Sequence, residues 1–256
     1  MRYQSTTGLD HTQMRELTRR IEQVLPPAKP TGRPAALSVA RSVLLTVIVL
    51  RHNLPQTLAA DLFGVSQPTV SRTIRRVLPR IGQVLCLHTP SLPEALRGRV
   101  VIVDGTLVPT LDHASQHKAN YSGKRHKTGL NVQILATLDG QLLAASIPLP
   151  GRTHDRAAFE LTGFADLLRD IPTLADLGYQ GTTAIRPRRK LPGQKEHTSE
   201  NKIWNTGISQ LRWAVEHTIA HWKDWKILAS GYRARLSELP AVIRIVTMLE
   251  HYRQDW

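Results

Sequence analysis

A chain of 256 residues has room for one large domain or two small ones, and 41% hydrophobic residues argue for a packed core over a disordered coil. Its 34 Lys and Arg against 20 Asp and Glu leave a formal charge of +14, a field that gives sequence-independent affinity for polyanions such as DNA or RNA. The single cysteine, Cys86, excludes an internal disulfide and a Cys-based zinc site.

The longest apolar run, residues 43–50, is too short to span a bilayer, and the first residues carry no secretory core. A soluble, cytoplasmic protein is expected, nucleoid-associated if bacterial. Arginine dominates the basic residues, 25 against 9 lysines. Its fork grips phosphate in a bidentate manner, although a GC-rich genome produces the same bias.

Leu9, Met14, Leu17, Ile21 and Val24 recur at helical intervals and predict a helix over residues 9–25. Four prolines and a glycine break the chain over 26–34. Ser38 is a suitable N-cap for a helix running to Arg51. Shorter helices follow over 56–63 and 67–78, with Gly64 between them. Their spacing is that of a helix-turn-helix within residues 36–80. Ala60 is small where two helices cross, Gly64 can take the left-handed conformation of a tight turn, and Pro68 fits a first helical turn. Leu58, Leu62, Val65, Val70 and Ile74 are expected to pin the pair together. Gln67, Thr69, Ser71 and Arg72 then face outward, toward base edges and phosphates, with Arg75 and Arg76 nearby. The plainer alternative is an ordinary helical hairpin with a solvated polar face. Residues 89–98, with Pro90 and Pro93, read as a linker. The expected domains are therefore 1–92, all-helical, and 93–256.

Beyond the linker, residues 99–104 form an apolar strand ending at Asp104. Residues 130–138 and 142–149 predict a hairpin about Asp139-Gly140. A helix is expected over 155–169, a short strand over 171–176 ending at Asp176, a basic loop over 186–195, and helices near 200–222 and 237–253. Mixed strands and helices imply an α/β or α+β class.

An acid at the end of a buried strand is a well-fixed ligand for a hard cation, though it can equally be a turn residue. On the helix of residues 205–223, Ile208, Leu211, Val215, Ile219 and Trp222 make one apolar stripe, and Arg212, Glu216 and Lys223 fall within roughly 40° of one another on its flank. Such a helix can dock on the sheet and aim Glu216 at the two aspartates.

These residues resemble a DDE transposase of the insertion-sequence type, close to the Harbinger-related branch. That family places its first Asp in an apolar strand before Gly-Thr, as at Asp104, and its second in a run like Asp-x-Gly-Tyr, as at Asp176. Its third acid lies in Tyr-x2-Arg-x3-Glu-x6-Lys, matched by Arg212, Glu216 and Lys223 but with Ser209 in place of Tyr. Gly151-Arg-Thr-His-Asp155 resembles the family's Gly-Ser-x-His-Asp segment, and the similarity covers roughly residues 32–250.

The resemblance implies an RNase H-like catalytic domain behind a helix-turn-helix. It also implies that Asp104, Asp176 and Glu216 hold divalent metal, Mg²⁺ or alternatively Mn²⁺. Phosphodiester cleavage needs an attacking water, a stabilised pentavalent phosphate and a stabilised leaving oxygen, which a carboxylate-held ion pair can provide. Double-stranded DNA, as element end and as target, is the expected partner, with a homo-oligomer assembled on it. Arg212 and Lys223 are then expected to hold substrate phosphate.

Lys124, Arg125 and Lys127, with Lys118, form one basic loop and Arg188, Arg189 and Lys190 a second; both read as phosphate contacts or as solvated loops. His154 and Asp155 either support the acids from behind or cap a helix. His217 and His221 have i,i+4 metal-pair spacing but lack a zinc-protease glutamate, so packing or exposure is the simpler account. Trp204, Trp222 and Trp225 read as core, with Trp213 open. Two rival functions use the same features: a DNA-binding regulator that has lost catalysis, and a nuclease without strand transfer.

Overall fold

Side-chain caps set the starts of two helices in the first ninety residues. After α1 (Tyr3–Thr7), Asp10 and Gln13 exchange side-chain bonds to each other's backbone N–H and start α2 (His11–Val24). Ser38 accepts from Arg41 N to start α3 (Val39–His52). The structure, a computed structural model, describes residues 3–26, 34–86, 91–111, 117–190 and 192–254. Most of the proline-rich break, residues 89 and 90 of the expected linker and residue 191 of the second basic loop lie outside them.

Gln56–Phe63 is α4 and Gln67–Leu85 is α5, with Gly64 between them at φ 65°. Glycine adopts that backbone without strain, so the turn is marked in the sequence. The helix-turn-helix packs differently from the expectation. Leu58 and Leu62 face solvent, at 44% and 63% exposure. Ala59, Ala60, Phe63 and Val70 turn inward onto Leu37, Leu45 and Val49, with Val65 and Ile74 partly buried beside them. Two alanines let α4 sit close to α3, which puts the leucines on the outer face.

The helix expected over 67–78 continues through Pro79 to Leu85. An interior proline costs about 3 kcal/mol, but Val77, Ile81, Val84 and Leu85 bury against neighbouring helices and outweigh it.

Two units emerge, residues 1–90 with 223–256, and residues 91–222. The sequence reading kept 93–256 together. Instead α11 (Leu239–Arg253) packs on α5, burying Leu239, Val242, Ile243, Val246 and Leu249. Trp225 lies buried in the same unit, its indole N–H donating to Glu250 Oε2 at 3.0 Å.

The second unit begins with α6 (Leu92–Leu96), a short helix inside the expected linker. Its sheet is built on a long antiparallel pair, β1 (Val101–Pro109) and β3 (Lys127–Thr137), in register from Val101↔Thr137 to Pro109↔Gly129. Between them lie α7 (His117–Asn120) and β2 (Tyr121–Ser122). The expected second hairpin strand is two pieces, β4 (Leu142–Ala145) and β5 (Leu149–Pro150), which with β2 line the outer edge of β3.

The expected 155–169 helix breaks at Gly163, φ 77°, into α8 (Asp155–Leu161) and α9 (Phe164–Leu167). Thr173–Leu174 is β6, parallel to the start of β1. The long α10 (Ser199–Trp222) closes the unit and packs on β1 and β3. The result is a mixed sheet with flanking helices, the RNase H-like arrangement.

Candidate active site

Two short-range facts build the site. First, β1 does not stop at Asp104 as expected; it runs five residues further because residues 105–109 stay paired with β3. Second, β6 pairs only with Val101 and Ile102 and then ends. From Asp104 onward the β6 side of β1 is therefore open, and the chain leaving β6 delivers Asp176 to that opening.

Asp104 lies with 16% of its side chain exposed. One carboxylate oxygen accepts from Gly105 N at 2.8 Å, and Oδ2 faces Arg212 Nη2 of α10 at 3.4 Å. Asp176 accepts from Gly178 N at 2.7 Å and caps a 3-10 turn, Leu177–Tyr179. Burial pushes the Asp104 carboxyl up to about 6; Arg212 opposes that, Asp176 adds to it, and after the opposing Gly105 N–H bond so does Asp155.

Successive strand residues point to opposite faces. While Asp104 meets α10, Gly105 faces α8, where Asp155 fills the space a side chain would take. A Cβ on Gly105 would lie 2.2 Å from Asp155 Oδ1, and one on Gly178 would lie 3.2 Å from Oδ2. His154 is the N-cap position of α8 and makes no side-chain cap; Asp155 turns toward the site instead of capping. Lys124 Nζ bridges Asp155 Oδ2 at 3.1 Å and Asp176 Oδ2 at 4.0 Å, and Arg125 Nη2 donates to Gly105 O at 3.3 Å.

Behind these groups runs a buried polar relay with no precedent in the sequence reading. Tyr179 donates to Gln133 Oε1, Gln133 Nε2 to Asn131 Oδ1 at 3.0 Å, and Asn131 Nδ2 to Thr153 O at 2.8 Å and Asp155 Oδ1 at 3.3 Å. Burial raises the Tyr179 phenol well above its usual range, so it stays a donor. The available signal was two polar residues two apart, on one face of an otherwise apolar strand.

Among the predicted acids, Asp104 and Asp176 meet. Glu216 does not join them: it is exposed on α10, one turn beyond Arg212 and about 40° further from the buried stripe. Among the described residues no three His, Cys, Asp or Glu side chains stand close enough to hold one ion. The α10 stripe itself is Ile208, Ala214, Val215, Thr218 and Trp222, with Leu211 exposed. Small residues at 214 and 218 let the helix approach the β3–β4 turn, where Thr218 Oγ1 donates to Gly140 O at 2.9 Å. Lys223 follows the last residue of α10 and groups with the helical unit.

The donor set of Asp104 and Asp176 is oxygen only, as hard divalent ions prefer. Burial is the first cause that raises the Asp104 carboxyl to about 6, and Arg212 offsets it only in part, so the charged form gains from a bound cation. These two aspartates therefore fit a divalent cation.

Of the second basic loop, Arg188 is engaged: it donates to Glu200 Oε1 at 2.7 Å and to Asn201, and lies over Trp204. Lys190 Nζ donates to Lys195 O, while Arg189 and Lys127 are exposed. Trp204 is partly exposed and Trp213 largely so, stacked on His217, whose imidazole meets His221. On α5, Gln67 and Arg72 are exposed and Thr69 and Ser71 half-buried. Gln67 donates to Gln56 at 2.6 Å, Thr69 pairs with Ser66, and Arg72 Nε donates to Pro68 O.

Two family models match the chain, and the longer match runs past Trp222 into α11. Residues 103–250 match the model of the DDE superfamily endonuclease, and residues 35–87 match the helix-turn-helix of DDE superfamily endonuclease. The chain is 32% identical over 223 residues to a protein of Streptomyces albus G named as a transposase for insertion sequence element IS112, covering 87% of this chain and 83% of that one. It is 27% identical over 217 residues to one of Microchaete diplosiphon named as a transposase for insertion sequence element IS702, covering 81% and 78%. No solved structure matches. No helix among the described residues is long and apolar enough to cross a membrane. With its helix-turn-helix and its paired strand-edge aspartates, the chain belongs to the DDE superfamily of endonucleases, whose members work with divalent metal ions.

Proposed function

We propose that this protein is a transposase that binds the ends of its own element and cuts and rejoins DNA at the Asp104–Asp176 edge. The observation that carries this reading is the meeting of those two aspartates beside Arg212, Lys124 and Arg125. Bound there, divalent ions, Mg²⁺ or Mn²⁺, supply Lewis acidity and an activated water nucleophile.

The chain's own groups do the rest. Asp104 and Asp176 hold the ions, and the α8 and relay residues keep Asp155 and the 3-10 turn in place. Glu216 completes the set once ions and DNA are present, since an exposed glutamate changes rotamer at little cost. Arg212, Lys223, Lys124, Arg125, Lys127, Arg188, Arg189 and Lys190 bind phosphate, and Gln67, Thr69, Ser71 and Arg72 read the element end. Residues 36–80 serve end recognition, and the sheet unit serves catalysis. Two copies act together, because two element ends must be inserted.

A nuclease without strand transfer uses the same acids, and a decayed regulator keeps only α4 and α5. The names of the relatives favour transposition. The first test is cleavage of DNA carrying the element's ends in Mg²⁺ or Mn²⁺, with Asp104→Asn, Asp176→Asn and Glu216→Gln each inactive while duplex binding persists. Full activity in any of the three removes that acid from the site.

A further inference from the structure

Lys124 stands where a cation belongs. Its ammonium lies 3.1 Å from Asp155 Oδ2 and 4.0 Å from Asp176 Oδ2. Burial opposes its charge, yet Asp155, Asp176 and Asp104 together raise its pKa. An ammonium beside Asp176 and a divalent ion on the same carboxylate repel each other, so one weakens the other.

The two partners of Lys124 differ in freedom. Asp155 has a side chain 12% exposed, accepts from Asn131, and is wedged into the space left by Gly105 and Gly178. Lys124 is 65% exposed and rides on the turn between β2 and β3. The acid is fixed and the ammonium can swing. Its shorter contact is to Asp155, the acid that acts on Asp104 less strongly than Asp176 does.

We propose that Lys124 is a tethered cation that competes with the divalent ion for the Asp104–Asp176 edge, and that Asp155 is the positioning residue that holds the ammonium off Asp176 so that the ion can enter. This rests on the reading of Asp104 and Asp176 as metal ligands. When the ion enters, the ammonium moves outward and a DNA phosphate takes the place of Asp176 as its partner.

The test is Mn²⁺ binding to the full chain without DNA, followed by calorimetry and by the signal of free Mn²⁺ in electron paramagnetic resonance. Lys124→Met should tighten binding about three- to tenfold, the range for a partly screened like charge a few ångströms away. Lys124→Arg should bind as the wild type does. Asp155→Asn should weaken binding by a similar factor, because the ammonium then settles on Asp176. In the Lys124→Met background, Asp155→Asn should cost clearly less, because only the weaker direct pull of its charge on the ion remains.

Unchanged or weaker binding in Lys124→Met overturns the proposal, and that exposed substitution keeps the test open even if Asp155→Asn fails to fold. An Asp155→Asn loss of equal size in both backgrounds also overturns it, making Asp155 a direct ligand. Asp104→Asn and Asp176→Asn separate the two levels. If they bind Mn²⁺ as tightly as the wild type, or if the wild type binds none, the metal-ligand reading itself falls.

Discussion

Arg212 Nη2 lies 3.4 Å from Asp104 Oδ2, an ion pair between side chains that are each 16% exposed. One guanidinium does not compensate the pocket: burial, Asp176 and Asp155 still hold the Asp104 carboxyl up to about 6. A charged Asp104 at neutral pH is thus a cost to the folded state, retained for what it binds.

That cost is measurable as stability. Raised from 3.8 to about 6 in the folded protein, Asp104 binds its proton more tightly there than in the unfolded chain. Its penalty is absent below about pH 4, grows between pH 4 and 6, and is complete above 6. With chelator present, Asp104→Asn should therefore be more stable than the wild type at pH 7.5, by on the order of 2–3 kcal/mol. The gap should narrow as pH falls toward 4. Saturating Mn²⁺ should stabilise the wild type and leave the variant unmoved. Thermal unfolding across pH reads all three, and a variant less stable than the wild type at pH 7.5 refutes the account.

The space beneath Asp155 gives a second prediction. In Gly105→Ala the new methyl carbon would sit 2.2 Å from Asp155 Oδ1 and 3.1 Å from Gln133 Nε2, two groups held by the relay. Overpacking of this kind costs about 1–3 kcal/mol and displaces the carboxylate. Tyr179→Phe should cost about 1–3 kcal/mol as well, by leaving Gln133 Oε1 buried without its donor. Gly123→Ala is the control, with nothing within 4 Å of its Cβ position, and should be neutral. Melting temperatures of the three variants decide it; a Gly105→Ala protein as stable as the control would sink the idea.

What could be read from sequence follows the range of each interaction. Asp104 and Asp176 were visible because each ends an apolar run, and such runs pair in a core. Gly64 and Ser38 were visible because turns and caps are local. The relay was not, since Tyr179 and Gln133 are 46 residues apart and meet only after folding. The packing of α11 on α5 was equally hidden: an amphipathic helix states that it buries a face, not against what. Leu58 and Leu62 misled for a related reason, because hydrophobicity alone does not choose between two faces when alanines permit closer approach. Glu216 was expected to point at the aspartates from its wheel position, and the 40° between it and Arg212 was enough to leave it exposed.

DNA capture by α5 predicts a salt law. Arg72 and Arg75 are exposed on the side away from Val70, Thr73 and Val77, and exposed Arg76 on the flank reaches Ser42 Oγ at 3.3 Å. Affinity for duplex DNA should fall log-linearly with salt, by about 0.9 per phosphate neutralised. Arg72→Ala should weaken binding to all sequences and reduce that slope by about one. Gln67→Ala or Thr69→Ala should change sequence preference more than strength. Fluorescence anisotropy over a salt series measures both, and a slope indifferent to Arg72 would remove it from the interface.

Joining, not cutting, separates a transposase from a nuclease. Both need Asp104 and Asp176 with a divalent ion, so loss of cleavage in either variant fits both enzymes. Only transposition keeps the freed 3′-OH at the strand edge and turns it on a second duplex, which demands a further phosphate-binding surface. The second basic loop offers one, with Arg189 exposed, and with Arg188 and Lys190 held by contacts that a DNA backbone could replace. A pre-cleaved terminal duplex with a free 3′-OH, incubated with Mg²⁺ and a plasmid, should become covalently joined to that plasmid. Replacing Arg188, Arg189 and Lys190 together by alanine should depress joining at least about tenfold, the effect of roughly 1.4 kcal/mol, while binding of the terminal duplex falls less. Joined product should peak at protein concentrations that support a dimer on DNA, as read by light scattering of the complex. Normal hydrolysis with no joined product would leave a nuclease, and the transposase reading would be abandoned.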